Sequence, residues 1–199
     1  MKLILATRNK HKIQEIKAIL RSLSVKVLSM LDFEGVPRVK EDGNTFKSNA
    51  IKKAKAFSKK FSIPAVADDS GLEIKALRGA PGVRSARFAG PNSTKEKLCG
   101  KVLRLMKDVP PSKRNARFVC NIAASLPTGK VKVVEGTVNG RIAFEMRGSK
   151  GFGYDPIFIP KGYKKTFAEM KPSMKNRLSH RGRALKKARV VIKKLCLTK

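Results

Sequence analysis

Residues 2–23 read KLILATRNKHKIQEIKAILRSL. A short apolar run passes into a polar turn, after which Ile13, Ile16, Ile19, Leu20 and Leu23 recur at helical spacing. This predicts a buried strand over residues 2–6 and a helix from about Asn9, the strand-turn-helix entry of an α/β fold. Outward from that entry, Val25 to Leu28 reads as a second strand. Thr45 to Phe61 reads as a Lys-rich helix with Ala50, Ala54 and Phe57 on one face. Ile63 to Ala67 is a buried strand expected to end at Asp68-Asp69-Ser70-Gly71, and residues 79–92, with three Gly and two Pro, an irregular loop. A helix is expected from Ser93 to Met106, opened by Ser-Thr-Lys-Glu cap chemistry. Phe118 to Leu126 alternates as a half-buried strand and turns through Pro127-Thr128-Gly129-Lys130 into Val131 to Val138. The last expected helix opens at Ser179 and ends near Leu195. Strands and helices mix without strict alternation, so the expectation is α/β with a mixed sheet.

A chain of 199 residues, 41% hydrophobic, can bury one sizeable core or a core split into two parts. A single domain spanning residues 1–199 is expected. The apolar stretch Leu3 to Ala6 is too short for a secretory signal. No run approaches the roughly 20 apolar residues of a membrane helix, so no membrane association is expected. Cys99, Cys120 and Cys196 are odd in number and far apart, which suits neither a disulfide framework nor a zinc site and fits a reducing cytoplasm.

The net charge is +32, from 46 Lys+Arg against 14 Asp+Glu. Such a field draws polyanions and anionic substrates without naming one. After Lys161 the only acid is Glu169. A nucleic-acid platform interleaves aromatics with its charges, yet Trp is absent and the tyrosines are Tyr154 and Tyr163. Incidental or solubility-related charge is therefore favoured over dedicated nucleic-acid binding, with non-specific polyanion association left open by the field.

Five of the 14 acids fall in three short motifs: Glu41 and Asp42, Asp68 and Asp69, and Asp155. Acids gathered in turns of so basic a chain point to a cation held for phosphate chemistry. Two adjacent carboxylates at a strand end repel unless a cation or donors compensate, and hard oxygens without a Cys or His cluster suit magnesium. Turn chemistry explains Asp68-Asp69 otherwise, and helix-end electrostatics explains Glu41-Asp42. Successive strand residues face opposite sides, so one of Asp68 and Asp69 is expected to face substrate while the other orients the turn. Thr7, Arg8, Asn9, Lys10, His11 and Lys12 place hydroxyl, amide and cationic groups at a helix start, an anion site or an ordinary cap. No Walker loop is present. In Gly151-Phe152-Gly153-Tyr154-Asp155-Pro156 the glycines let backbone approach a ligand while Phe152 or Tyr154 stacks on a heterocycle; core aromatics in a plain turn would read the same. Arg181 beside His180 at a predicted helix start requires an acceptor, or belongs to a Ser-capped basic helix.

Taken in order, ATRNKHK, EDGNTFKSNAIKKA, VADDSGLEI, GAPGVRSARFAG, GFGYDPIF and the closing K-x-x-x-S-H-R-G-x-A-L resemble the inosine triphosphate pyrophosphatase (Ham1-like) family over nearly the whole chain. Three departures stand out: Lys150 replaces a usual Gly, Met146 a common Pro, and Lys171 to Met174 lacks the usual acids. The resemblance implies an elongated mixed central sheet flanked by helices, two lobes around a cleft, and a homodimer. It further implies Mg2+-dependent hydrolysis of ITP, dITP and XTP to the monophosphate and pyrophosphate. By matching position, Glu41, Asp68 and Asp69 would hold the metal, with Asp69 the general base. Thr7, Asn9, Lys12 and Lys53 would hold the triphosphate, with Arg8, Lys10 and His11 in the same loop and Ser70 adding a local hydrogen bond. Phe152, Gly153, Tyr154 and Asp155 would form the base loop, and Lys175, His180 and Arg181 would present donors to a 6-keto oxygen. The rival readings are a Maf-like pyrophosphatase of modified pyrimidine nucleotides and a basic nucleic-acid-binding protein with relic motifs.

Overall fold

The computed structural model describes residues 2–21 and 25–197; the side chains of His11, Ile19, Cys196 and Leu197 also lie outside the described set. The chain is α/β. Six strands form one sheet in the order β2-β1-β3-β4-β5-β6. They are β1 (Lys2–Leu5), β2 (Lys26–Ser29), β3 (Ala65–Ile74), β4 (Asn115–Ser125), β5 (Val131–Ile142) and β6 (Phe158–Pro160). β1 runs parallel to β2, with Lys2 opposite Lys26, and parallel to β3, with Ile4 opposite Ala65. β5 and β6 run antiparallel, with Ile142 opposite Phe158, so the sheet is mixed as expected. The helices are α1 (Lys10–Leu20), α2 (Phe46–Phe61), α3 (Lys95–Leu105), α4 (Pro172–Leu178) and α5 (His180–Leu197).

Residue contacts divide the chain into two compact units. The first comprises Met1–Asp69, Cys120–Gly136 and Arg181–Lys199; the second comprises Ser70–Val119 and Thr137–His180. In the first unit, Leu3, Ile4 and Leu5 are all buried, as a strand with neighbours on both sides requires. Leu3 and Leu5 join Ile16, Leu20, Leu185, Ala188 and Ile192 in one cluster, whereas Ile4 joins Ala50, Ala54 and Phe57 in another. The period-two alternation of β1 thus assigns α1 and α5 to one layer and α2 to the other. Ala50 and Ala54 meet Ala65, Ala67 and Ala123, small side chains that let helix and sheet approach closely. Thr45 caps α2 in a reciprocal box with Ser48, which the sequence shows in N-T-F-K-S.

In the second unit, Leu98, Cys99 and Val102 of α3 pack with Leu72, Ile74, Phe118, Phe158 and Phe167. The Arg114 guanidinium is buried and donates to the carbonyls of Met106, Val109, Ile142 and Ala143, tying the end of α3 to the end of β5.

Three boundaries differ from expectation. β3 does not stop at Asp68 but runs on to Ile74, because both aspartates are compensated within the fold and the ladder continues through them. Residues 79–92 enclose a 3-10 turn, Gly82–Arg87. The predicted Ser179 helix begins at His180, and a short helix, α4, precedes it. Pro172 starts α4, having no N–H to lose at a first turn, and Ser179 is extended (φ −67°, ψ 157°) between the two. With seven residues, two of them cations, α4 carries too little apolar periodicity to be seen in sequence.

Candidate active site

The expected site residues fall into two clusters, one in each unit. In the first, Asp68 and Asp69 point to opposite faces of β3. Asp68 turns toward α1 and α5, where Lys12 Nζ lies 2.9 Å and Arg181 Nε 3.4 Å from its Oδ2. Asp69 turns toward α2, where Asn49 Nδ2 donates to its Oδ2 at 2.9 Å. Burial alone would push the Asp68 carboxyl up, but Lys12, Arg181 and Lys53 hold it far below the ordinary 3.8. Burial wins at Asp69, whose pKa is raised; Lys53 and Asn49 oppose the rise and the Glu41 charge adds to it.

Lys53 is central to this cluster. Its ammonium donates to the Asp68 carbonyl at 2.6 Å and lies 3.0 Å from Glu41 Oε1 and 4.0 Å from Asp69 Oδ1. Desolvation opposes its charge, yet Asp68, Asp69 and Glu41 keep its pKa above the usual lysine value. Two carboxylates from separate segments therefore converge around one cationic nitrogen. Hard oxygens gathered about a point of positive charge fit a divalent cation of the magnesium type, and a raised Asp69 pKa is what such an ion would lower. Among the described residues no group of three or more His, Cys, Asp or Glu forms a metal cluster.

Two residues of the first cluster went unnoticed in sequence. Asn49 lies one turn before Lys53 on α2, and its Oδ1 accepts from the Gly43 N–H at 2.8 Å while its amide holds Asp69. A side chain at Gly43 would run into Asn49 and Ser48. Glu15, three residues after Lys12 on α1, accepts from Arg181 Nη1 at 2.7 Å. The i,i+4 and i,i+3 spacings were visible; the partners were not. Thr7 and Asn9 shape the start of α1, with Asn9 N donating to Thr7 Oγ1 and Lys12 N to Asn9 Oδ1, each at 3.2 Å. Arg8, Asn9 and Lys10 are exposed, and the His11 side chain is outside the described residues.

The second cluster centres on Asp155. Its Oδ2 accepts from the Phe152 N–H and from Lys175 Nζ, both at 2.8 Å. Lys175 Nζ sits 4.7 Å over the Phe152 ring. Gly151 has φ +77°, and a Cβ there would collide with the Asp155 carboxylate, so the loop demands glycine. His180 is buried and stacks on Phe118, ring centroids 4.6 Å apart and planes 10° apart. Ser70, half-buried, begins this unit on β3. Gly153 presents its carbonyl to Cys99 Sγ at 3.4 Å.

Two placements depart from those the resemblance implied. Tyr154, expected near the base, is buried in the core with its hydroxyl donating to the Ser85 carbonyl at 2.8 Å, so it supports the loop from behind. Phe152 is the half-exposed ring. Arg181, expected to reach a purine, has a side chain 3% exposed that is committed to Asp68 and Glu15.

The model of the Ham1 family matches residues 3–191. The chain is 49% identical over 195 residues to a dITP/XTP pyrophosphatase of Desulforamulus reducens, covering 98% of this chain and 97% of that one. It is 47% identical to a dITP/XTP pyrophosphatase of Halalkalibacterium halodurans, covering 92% and 94%. Among solved structures, a HAM1 protein from Coxiella burnetii superposes with TM-score 0.90 at 41% identity, over 98% of this chain and 99% of the other. The Ham1 protein of Staphylococcus aureus gives 0.88 at 37% identity, over 98% and 100%. With the motifs, the sheet order and both polar clusters already in place, these matches lead to one conclusion: the chain belongs to the Ham1 family.

Proposed function

We propose that this chain hydrolyses non-standard purine nucleoside triphosphates, the ITP, dITP and XTP class, to the nucleoside monophosphate and pyrophosphate. The observation that carries the reading is the convergence of Glu41, Asp69 and the Asp68 carbonyl on Lys53 Nζ. That is a cation-holding locus beside a helix start built for anions. Thr7, Asn9, Lys12 and Lys53 suit the triphosphate. Magnesium, held by Glu41 and Asp69 with Asp68 behind them, would neutralise phosphate charge. Water oxygen forms a bond to the α-phosphorus, the α–β bridging P–O bond breaks, and pyrophosphate departs. Asp69 takes the proton of the attacking water, its carboxylate oriented by Asn49 Nδ2 at 2.9 Å. In-line positioning and charge neutralisation supply most of the acceleration in such chemistry.

The base is assigned to Phe152, with donors from Lys175 and His180. A 6-keto oxygen accepts from them, whereas the adenine amino group would set donor against donor and leave buried groups unpaired at about 1–3 kcal/mol each. Arg181 acts at one remove, holding Asp68 in place. The working form is proposed to be a cytoplasmic homodimer in which the whole chain is one catalytic domain.

Pyrophosphate release from ITP, dITP, XTP, GTP and ATP, with magnesium and with chelator, tests the reading. ITP, dITP and XTP are expected to exceed ATP by at least about a hundredfold in kcat/KM, and chelator is expected to abolish turnover. Equal turnover of ATP and ITP would remove the purine assignment.

A further inference from the structure

The second unit carries a concavity of about 790 Å³ that the reaction does not use. Its cations are Lys150, Lys164, Lys165, Lys171 and Arg177, against a single acid, Glu169. That acid is already engaged: Glu169 Oε2 accepts from the Thr166 N–H at 2.6 Å and lies 3.7 Å from Arg147. Among the described residues, none of the five cations makes an ion pair within the chain, although all five are exposed. Crowding like charges without acids is unfavourable unless an anion arrives to offset it.

The walls are held in place rather than left as loose surface lysines. Arg147 Nη2 donates to the Lys164 carbonyl at 3.0 Å, Thr166 Oγ1 to the Arg147 carbonyl at 2.8 Å, and Lys150 N to the Ala168 carbonyl at 3.2 Å. Gly148, at φ +80°, lets the first segment lie directly on Ala168. Tyr163, half-buried, lines the same space with Met170 and Met174. In sequence Tyr163 stands in Lys161-Gly162-Tyr163-Lys164-Lys165, an aromatic interleaved with cations. Phosphate-binding cations around an aromatic face are what a single strand of nucleic acid requires, one set for the backbone and the other for a base.

We infer that this concavity binds single-stranded nucleic acid, with Lys164, Lys165, Lys171 and Arg177 on the phosphates and Tyr163 stacking a base. Two of the departures from the family pattern, Lys150 and the acid-free Lys171 to Met174, lie in this wall. The inference does not depend on which triphosphate is hydrolysed.

The test is anisotropy of a labelled single strand of about 12 nucleotides titrated with the full chain at about 0.15 M salt. In one variant Lys164, Lys165, Lys171 and Arg177 are each changed to Gln. A charge-matched control changes Lys47, Lys55, Lys59 and Lys186, exposed residues of the first unit, to Gln. The pocket variant is expected to bind at least about tenfold more weakly with a shallower salt slope, the control to stay within about threefold of the unaltered chain. Tyr163→Ala is expected to weaken binding by about threefold or more while Tyr163→Phe restores it. Equal losses in pocket and control variants would reduce the effect to the overall field and overturn the proposal. Absence of binding by the unaltered chain would do so as well. So would wild-type binding by Tyr163→Ala combined with full displacement by inorganic tripolyphosphate, which marks a site for phosphate chains alone. Thermal midpoints and far-UV circular dichroism, matched among the variants, separate lost contacts from lost fold.

Discussion

Asp68 and Asp69 are neighbours of the same chemistry, yet their environments push their pKa values in opposite directions. Strand alternation is the cause: one carboxylate meets Lys12 and Arg181, the other Asn49 and, at longer range, Lys53. Two expectations follow at this scale. Asp69→Asn keeps the Asn49 contact and the volume but cannot accept a proton, so turnover of ITP should fall at least about a hundredfold with the thermal midpoint within a few degrees. Near-normal turnover would take Asp69 out of that role. Asp68 bears on stability. Its folded pKa is depressed, so its contribution is present above the unfolded value of 3.8 and is lost as pH falls toward the lower folded pKa. In chelator, the unaltered chain should therefore lose stability steeply below about pH 4, whereas Asp68→Asn, weaker at pH 7, should show a flatter acid limb. Parallel acid limbs in urea titrations would contradict this assignment.

At the scale of elements, short polar links decide where functional atoms stand. α2 delivers Asn49 and Lys53 one turn apart on one face, and its Thr45 cap fixes where that face begins. The Gly151 loop is set by a single carboxylate, Asp155, shared between the Phe152 N–H and Lys175. Gly151→Ala would combine a positive φ with a collision against that carboxylate. It is expected to cost roughly 1–3 kcal/mol in urea unfolding and to raise KM for ITP. Unchanged KM and stability would show that the loop gives way freely. The long elements were readable from period alone: α1, α2, α3 and the β4–β5 turn lie within a few residues of their predicted limits. α4 and the continuation of β3 were not, since a seven-residue basic helix has little apolar pattern and a strand interior with two acids looks like a strand end.

For the whole molecule, charge is the dominant property. Exposed pairs such as Lys52–Asp42 and Arg117–Glu73 are screened by solvent and contribute little. With 46 cations to 14 acids, repulsion has far more members than attraction. Raising salt from about 10 mM to about 300 mM should therefore lift the thermal midpoint by several degrees, because screening relieves more repulsion than it weakens pairing. A falling midpoint would mean that the few pairs outweigh the field. Sequence by itself determined the α/β class, the family, the main periodic elements and the roster of acids, lysines and aromatics from which a site is assembled, because local period and ordered motifs are written along the chain. Tertiary structure alone decided that Asp68 and Asp69 face different layers, that Arg181 serves Asp68 and Glu15, that Tyr154 is a core support, and that Lys150, Lys164, Lys165, Lys171 and Arg177 line one concavity with Tyr163. Each of those depends on which distant segment packs against a given face, and pairing at long range leaves no periodic mark in the sequence.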